Sequence, residues 1–105
     1  MENFCLKTSE GIMPVEIDKL IFIKVENYLS TFEFENGQHI HRVEPLKYIE
    51  KKLSNNFFRI NRNYLVNINK IELIDKKRGE ITVKNQIYKI STQNIKILLK
   101  KYKKI

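Results

Sequence analysis

Residues 28–43, YLSTFEFENGQHIHRV, alternate apolar and polar side chains on both sides of Asn36-Gly37. A period of two sends alternate side chains to opposite faces of a strand. Both residues of Asn-Gly tolerate the positive φ of a type I′ turn, so this stretch predicts a β-hairpin. Phe32, Phe34, Ile40 and Val43 form its partly buried face.

The neighbouring segments follow the same rule. NFCLKTSEG and IMPVEI flank Gly11 and predict a second hairpin, whose Pro14 strand belongs at an edge because proline donates no ladder hydrogen bond. LIFIKVE is dense in the β-branched and aromatic residues that suit a pleated, half-buried surface. IELIDKKRGEITVKNQIYKIS predicts three more strands, turning at Arg78-Gly79 and Asn85-Gln86. Two segments change period. In PLKYIEKKL, Leu46, Ile49 and Leu53 share a helical face, with Pro45 at the first helical position. In STQNIKILLKKYKKI, Ser91 caps the start, Ile95, Leu98, Leu99 and Tyr102 face inward, and Lys96, Lys100, Lys101, Lys103 and Lys104 occupy the remaining surface. The expected fold is therefore mostly β, antiparallel strands in small packed sheets with two short α-helices. Residues 1–105 make one domain, since no linker or internal repeat divides them.

Charge is distributed unevenly. Residues 1–58 hold seven Lys/Arg against nine Asp/Glu, whereas residues 59–105 hold thirteen against three. A polarised basic surface is the electrostatic footprint of a nucleic-acid binder, and an anionic membrane surface fits it as well. Cys5 is the single cysteine, which excludes an internal disulfide and a Cys-based zinc site and favours a reducing cytoplasm. No run approaches the roughly 20 apolar residues of a spanning helix, and the N-terminus lacks the pattern of a signal peptide.

Catalytic constellations are absent from the sequence. His39 and His41 share a strand face, but no spacing signals a third metal ligand. Three scattered glycines build no phosphate loop. Cys5 has no evident base partner and reads as a small buried hydrophobe, while Glu33 and Glu35 read as a solvated strand face. Neither an enzyme nor a cofactor is expected.

One segment asks for a different explanation. FFRINRNYLVN, residues 57–67, interleaves two arginines and three asparagines with its apolar residues. Phe58-Arg59-Ile60, then Asn61-Arg62-Asn63, then Tyr64-Leu65-Val66-Asn67, with Ile71 beyond, resembles the signature of the LytTR DNA-binding domain. LIFIKVENYLSTFEFENGQ, PLKYIEKKL and QIYKISTQNIKIL are similar to the flanking elements of that family, so the likeness runs from about Ile12 to the end. Asn61 stands where the family commonly has His, Asn63 where it has Ser, and Ser91-Thr92-Gln93 where it often has Ser-Arg. The DNA sequence recognised is accordingly expected to differ.

The resemblance implies a bacterial transcription regulator that reads the major groove of duplex DNA through loops, often at repeated sites that seat a second copy. Many members carry a receiver domain. None precedes the motif in this sequence, so the expectation is either that the chain acts unaided or that it is one domain of a longer regulator, with a receiver domain or a membrane-bound regulator as a candidate partner. Phe58, Ile60, Leu65 and Val66 anchor two strands and hold the Asn61–Asn63 tip outward. Arg62 can then span guanine O6 and N7, an interaction of about 1–3 kcal/mol in discrimination, and Asn61 or Asn63 can pair with adenine; the plainer reading of Arg62 is a surface arginine paired with a carboxylate. Arg59 braces the fold or touches phosphate, and Asn67 caps the short turn at INKI. Lys24, Asn27 and Tyr28 match a DNA-contacting loop of the family, or else form a polar turn with an anchoring tyrosine. Ser91, Thr92 and Gln93 open a helix whose N–H groups suit phosphate. Lys89 and Lys96 are the phosphate partners, with Lys100 to Lys104 a solvated tail. Two competing readings stand beside this one: a single-stranded nucleic-acid binder, and a module docking an acidic or membrane-bound partner.

Overall fold

In chain order the elements are β1 (Phe4–Thr8), β2 (Gly11–Val15), β3 (Leu20–Glu26), β4 (Leu29–Phe34), β5 (His39–Arg42), α1 (Leu46–Lys52), β6 (Phe57–Asn61), β7 (Tyr64–Asn67), β8 (Ile71–Asp75), β9 (Glu80–Val83), β10 (Gln86–Lys89) and α2 (Thr92–Leu99). The structure, a computed structural model, describes residues 4–53 and 55–103. Lys104, read above as part of the terminal tail, lies outside the described residues. Among the described residues every strand pairing is antiparallel. The strands form a two-stranded sheet β1-β2, a three-stranded sheet β10-β9-β8 and a five-stranded sheet in the order β5-β4-β3-β7-β6. A mostly β, antiparallel fold with two short helices is what the periodicity predicts.

The five-stranded sheet is covered on both faces. Leu20, Ile23, Phe32, Phe34, Phe57 and Leu65 pack with Leu46 and Ile49 of α1, and Leu6 and Val15 of the β1-β2 hairpin lean on them. Across the sheet, Ile21, Ile60 and Val66 pack with Ile81 and Val83 of β9 and with Ile95 and Leu98 of α2. Adjacent residues Phe57 and Phe58 therefore enter opposite cores, as do Leu65 and Val66, which is why apolar residues stand next to one another in these strands instead of strictly alternating with polar ones. Phe22, Tyr64 and Tyr88 join the two sheets on the second face, with ring centroids 5.2–5.9 Å apart. Aromatic pairs at this separation contribute about 0.5–1.5 kcal/mol each beyond simple burial.

Several expectations need correction. The connection at Asn36-Gly37 is not a type I′ turn: only Gly37 takes a positive φ, of 86°. Phe34 C=O accepts from Gly37 N–H at 3.0 Å, Phe34 N–H donates to Gln38 C=O at 3.0 Å, and Asn36 Oδ1 takes up Gln38 N–H at 2.9 Å. This is a three-residue connection closed by a left-handed glycine. Left-handed residue pairs occur instead at Asn27-Tyr28 and at Lys84-Asn85, one position before the expected turn at Asn85-Gln86. Val43 lies one residue past the end of β5 and is 83% exposed. Cys5 is exposed as well, on the outer side of a hairpin that buries only its alternate residues. Pro45 caps α1 rather than starting it, and α2 ends at Leu99, with turn residues carrying the chain on to Tyr102.

Candidate nucleic-acid interface

The β6-β7 connection is two residues long, Arg62-Asn63, closed by the pair Asn61–Tyr64. Neither residue has a positive φ, although such short connections favour it because it matches the twist of the strands. A bulge compensates. The register slips between Arg59 and Asn61, so Ile60 is the extra residue, and bulges add local twist while re-aiming the chain. Ile60 itself remains buried and anchors the bulge in the core.

Four hydrogen bonds fix this tip. Asn61 Oδ1 accepts from Asn63 N–H at 2.8 Å. Asn63 C=O accepts from Val25 N–H at 2.9 Å, which ties the tip to the end of β3. Arg59 Nη2 donates to Arg62 C=O at 3.2 Å, while Arg59 Nη1 lies 3.7 Å from Glu50 of α1. Asn94 Nδ2 of α2 donates to Ile60 C=O at 3.2 Å. Arg59 thus braces the fold, and its Nε is a buried donor without a partner. The Arg62 side chain is exposed, and no carboxylate pairs with it among the described residues.

The same bonds bring two further elements alongside. Two residues beyond Val25, the β3-β4 turn holds Asn27 at φ 48° and Tyr28 at φ 69°. Asparagine tolerates that region, but a tyrosine there carries a strain of order 1–3 kcal/mol, and such strain clusters at functional sites. Tyr28 is 86% exposed and anchors nothing, so the alternative of an anchoring tyrosine does not apply. Lys24 lies 2.8 Å from Glu26; hydrogen bonding to that carboxylate raises the Lys24 pKa and in turn lowers that of Glu26. The third element is the start of α2. Ser91 Oγ accepts from Asn94 N–H at 3.1 Å as the N-cap, and Thr92 and Gln93 are exposed in the first turn.

Asn61, Arg62, Asn63, Asn27, Tyr28, Ser91, Thr92 and Gln93 are therefore linked through Val25 and Asn94. Lys96 follows one turn along α2, exposed and without an ion pair among the described residues. Lys89 stands apart. It alternates with the core-facing Tyr88 and pairs with Glu80 across the ladder at 3.1 Å. Asn67 caps the 3-10 turn Ile68–Lys70, as expected from the sequence. Sequence reasoning passed over Asn94, whose signal was an amide at the third helical position, where a capping box carries Glu or Gln. It also passed over the exposed basic turn Lys76-Lys77-Arg78, which only the asymmetry of charge hinted at. Among the described residues no cluster of three or more His, Cys, Asp or Glu can hold a metal ion, and no helix is long and apolar enough to cross a membrane.

A family model described as the LytTr DNA-binding domain matches residues 10–103. The chain is also similar in structure to a LytTr DNA-binding domain from Bacillus cereus, with a TM-score of 0.74 and 22% sequence identity over 95% of each chain. No curated protein matches the chain.

Proposed function

The chain belongs to the LytTR DNA-binding domain family, a family of regulatory DNA binders, and from that premise we propose that it recognises specific sequences in duplex DNA through the major groove. The observation that carries this reading is Arg62: an exposed guanidinium with no carboxylate partner among the described residues, on a two-residue turn pinned by bonds from β3, Arg59 and α2. A long side chain on a fixed base can present both donors of its fork to guanine O6 and N7. Asn61 commits its oxygen to Asn63 N–H, which leaves its amide N–H groups to donate. Asn63 is exposed beside Arg62 and supplies the amide for an adenine edge.

The flanking elements position the duplex. Thr92, Gln93 and the first N–H groups of α2 meet one phosphate run. Tyr28 and Asn27 meet the backbone on the other side of the tip. Lys96 adds a sequence-blind interaction, whereas Lys24 and Lys89 must exchange a carboxylate for a phosphate to take part. Two such chains can occupy repeated sites side by side, and a receiver or membrane-bound regulator outside this chain would control them.

Selection of bound duplexes from a random pool, followed by competition with the same sequences as single strands, tests the proposal. A consensus of a few base pairs, bound more tightly as duplex and weakened by added salt, is the expected result. An unenriched pool, or stronger binding to the single strands, would overturn it.

A further inference from the structure

Resting on the duplex-binding reading above, we infer that the β8-β9 turn, Lys76-Lys77-Arg78, and Lys100 at the end of α2 form a second grip on the DNA backbone, separate from the tip and blind to sequence. The turn is held in place by its last residue. Gly79 N–H donates to Asp75 C=O and Gly79 C=O accepts from Ile90 N–H, each at 3.0 Å. Gly79 has φ 65°, and a Cβ there would stand 3.1 Å from Ile90 C=O, so glycine lets the turn close against the residue that leads into Ser91 and α2.

Lys76, Lys96 and Lys100 line one open depression together with Leu99 and Tyr102. Lys96 and Lys100 are four residues apart, about 6 Å along a helix axis. Alternate phosphates of one strand are separated by roughly 7 Å along the duplex. Charge compensation is uneven over the basic residues. Lys24, Lys52, Lys70 and Lys89 each pair with a glutamate. Lys76, Lys77, Lys96 and Lys100 have no ion pair among the described residues; of the two carboxylates that flank the turn, Asp75 is engaged by Arg78 and Glu80 by Lys89. Like charges gathered on a fixed turn and one helix face, with Asp75 offsetting only Arg78, suit a regularly spaced polyanion. Lys96 connects this ridge to the start of α2, so a duplex seated at the tip runs on to it.

The test is the variant K76A/K77A/K100A, which leaves the tip, α2 N-terminus and Lys96 intact, with its thermal midpoint compared with that of the wild type. Affinity for the selected duplex is measured across a salt series, on the minimal site and on versions extended by half a helical turn on either side. The slope of log K against log salt should fall by about 2–3, near 0.9 for each phosphate that is no longer neutralised, with the selected consensus unchanged. Extension should tighten wild-type binding and leave the variant unaffected. If the wild type binds no duplex, the parent reading fails and the ridge with it. If the wild type binds and the variant matches it in slope and length dependence, the ridge alone fails. The ridge also fails if the variant loses only sedimentation with phosphatidylserine vesicles, which would assign these lysines to a lipid surface.

Discussion

The two ends of the β6-β7 hairpin use the same local device for opposite purposes. At one end Asn61 Oδ1 accepts from Asn63 N–H at 2.8 Å; at the other Asn67 Oδ1 accepts from Asn69 N–H at 3.0 Å. Both are asparagines whose oxygen replaces a backbone partner two residues on. The amide nitrogens then diverge. Asn67 is 3% exposed and donates to Leu20 C=O at 2.9 Å, sewing β7 to the start of β3. Ile68 C=O next to it receives the Tyr102 hydroxyl at 2.7 Å. Around Asn61 the bonds come from outside and end on the backbone, which leaves the side chains of Arg62 and Asn63 facing solvent. One end of the hairpin holds the fold together and the other is held by it.

Substitutions should separate the two ends. The largest expected effect is that of Asn67→Ala, which orphans a buried carbonyl at a cost of about 1–3 kcal/mol and removes a cap whose loss adds about 0.5–2 kcal/mol. Urea denaturation should register that loss, while the DNA consensus of the folded fraction stays the same. A shifted consensus would break the comparison. Arg62→Ala should do the reverse: about 1–3 kcal/mol of discrimination lost at one base pair, with unfolding free energy changed by no more than about 0.5 kcal/mol, as for other exposed sites. Intact affinity and preference in that variant would remove Arg62 from the reading role. Arg59→Ala lies between them, since it supports the tip from within: a stability loss of about 0.5–1.5 kcal/mol and partial loss of discrimination. Arg59→Lys should restore little, because an ammonium cannot serve the Arg62 carbonyl and Glu50 together as a planar fork does.

The smallest effect is a pH dependence at the buried end. Burial raises the Tyr102 phenol above its ordinary 10.0, and burial likewise raises Tyr88. Below pH 10 both folded and unfolded chains keep these protons. Above it the unfolded chain releases them first, so stability should decline until the folded-state phenols titrate. Tyr102→Phe should make that decline shallower in thermal melts between pH 9 and 11, at the cost of the bond to Ile68. An unchanged alkaline slope would show that Tyr102 contributes nothing to it.

Local chemistry was legible in the residues, and long-range geometry was not. Ser91 and Asn67 could be identified as caps because capping depends on atoms a few residues away. The strands and both helices could be identified because alternation and the 3.6-residue repeat are properties of single segments. The order β5-β4-β3-β7-β6 was hidden, since β3 pairs with β7 across some forty intervening residues. The double covering of the central sheet was hidden for the same reason, so Phe57 could not be separated from Phe58 by alternation. The left-handed turns at Asn27-Tyr28 and Lys84-Asn85 were missed because Tyr and Lys disfavour the backbone they adopt there, whereas Asn36-Gly37 advertised a turn type that the surrounding strands did not use. Of the site, the tip was visible in FFRINRNYLVN. The bond from Asn94 that joins it to α2 was not, because it spans 34 residues.

The extra residue at Ile60 sets a limit on how this surface can change. Its side chain fills the core, its carbonyl is taken by Asn94, and the turn beyond closes only because the strand has slipped by one position there. Swapping Arg62 or Asn63 for another side chain leaves that arrangement intact, whereas a one-residue change in length between Arg59 and Tyr64 that shifts the strand register would turn the following side chains of β7 to the opposite face. On the reading proposed above, the hairpin is a frame of set length with exchangeable letters, and new DNA preferences would be reached by respelling it rather than by inserting into it.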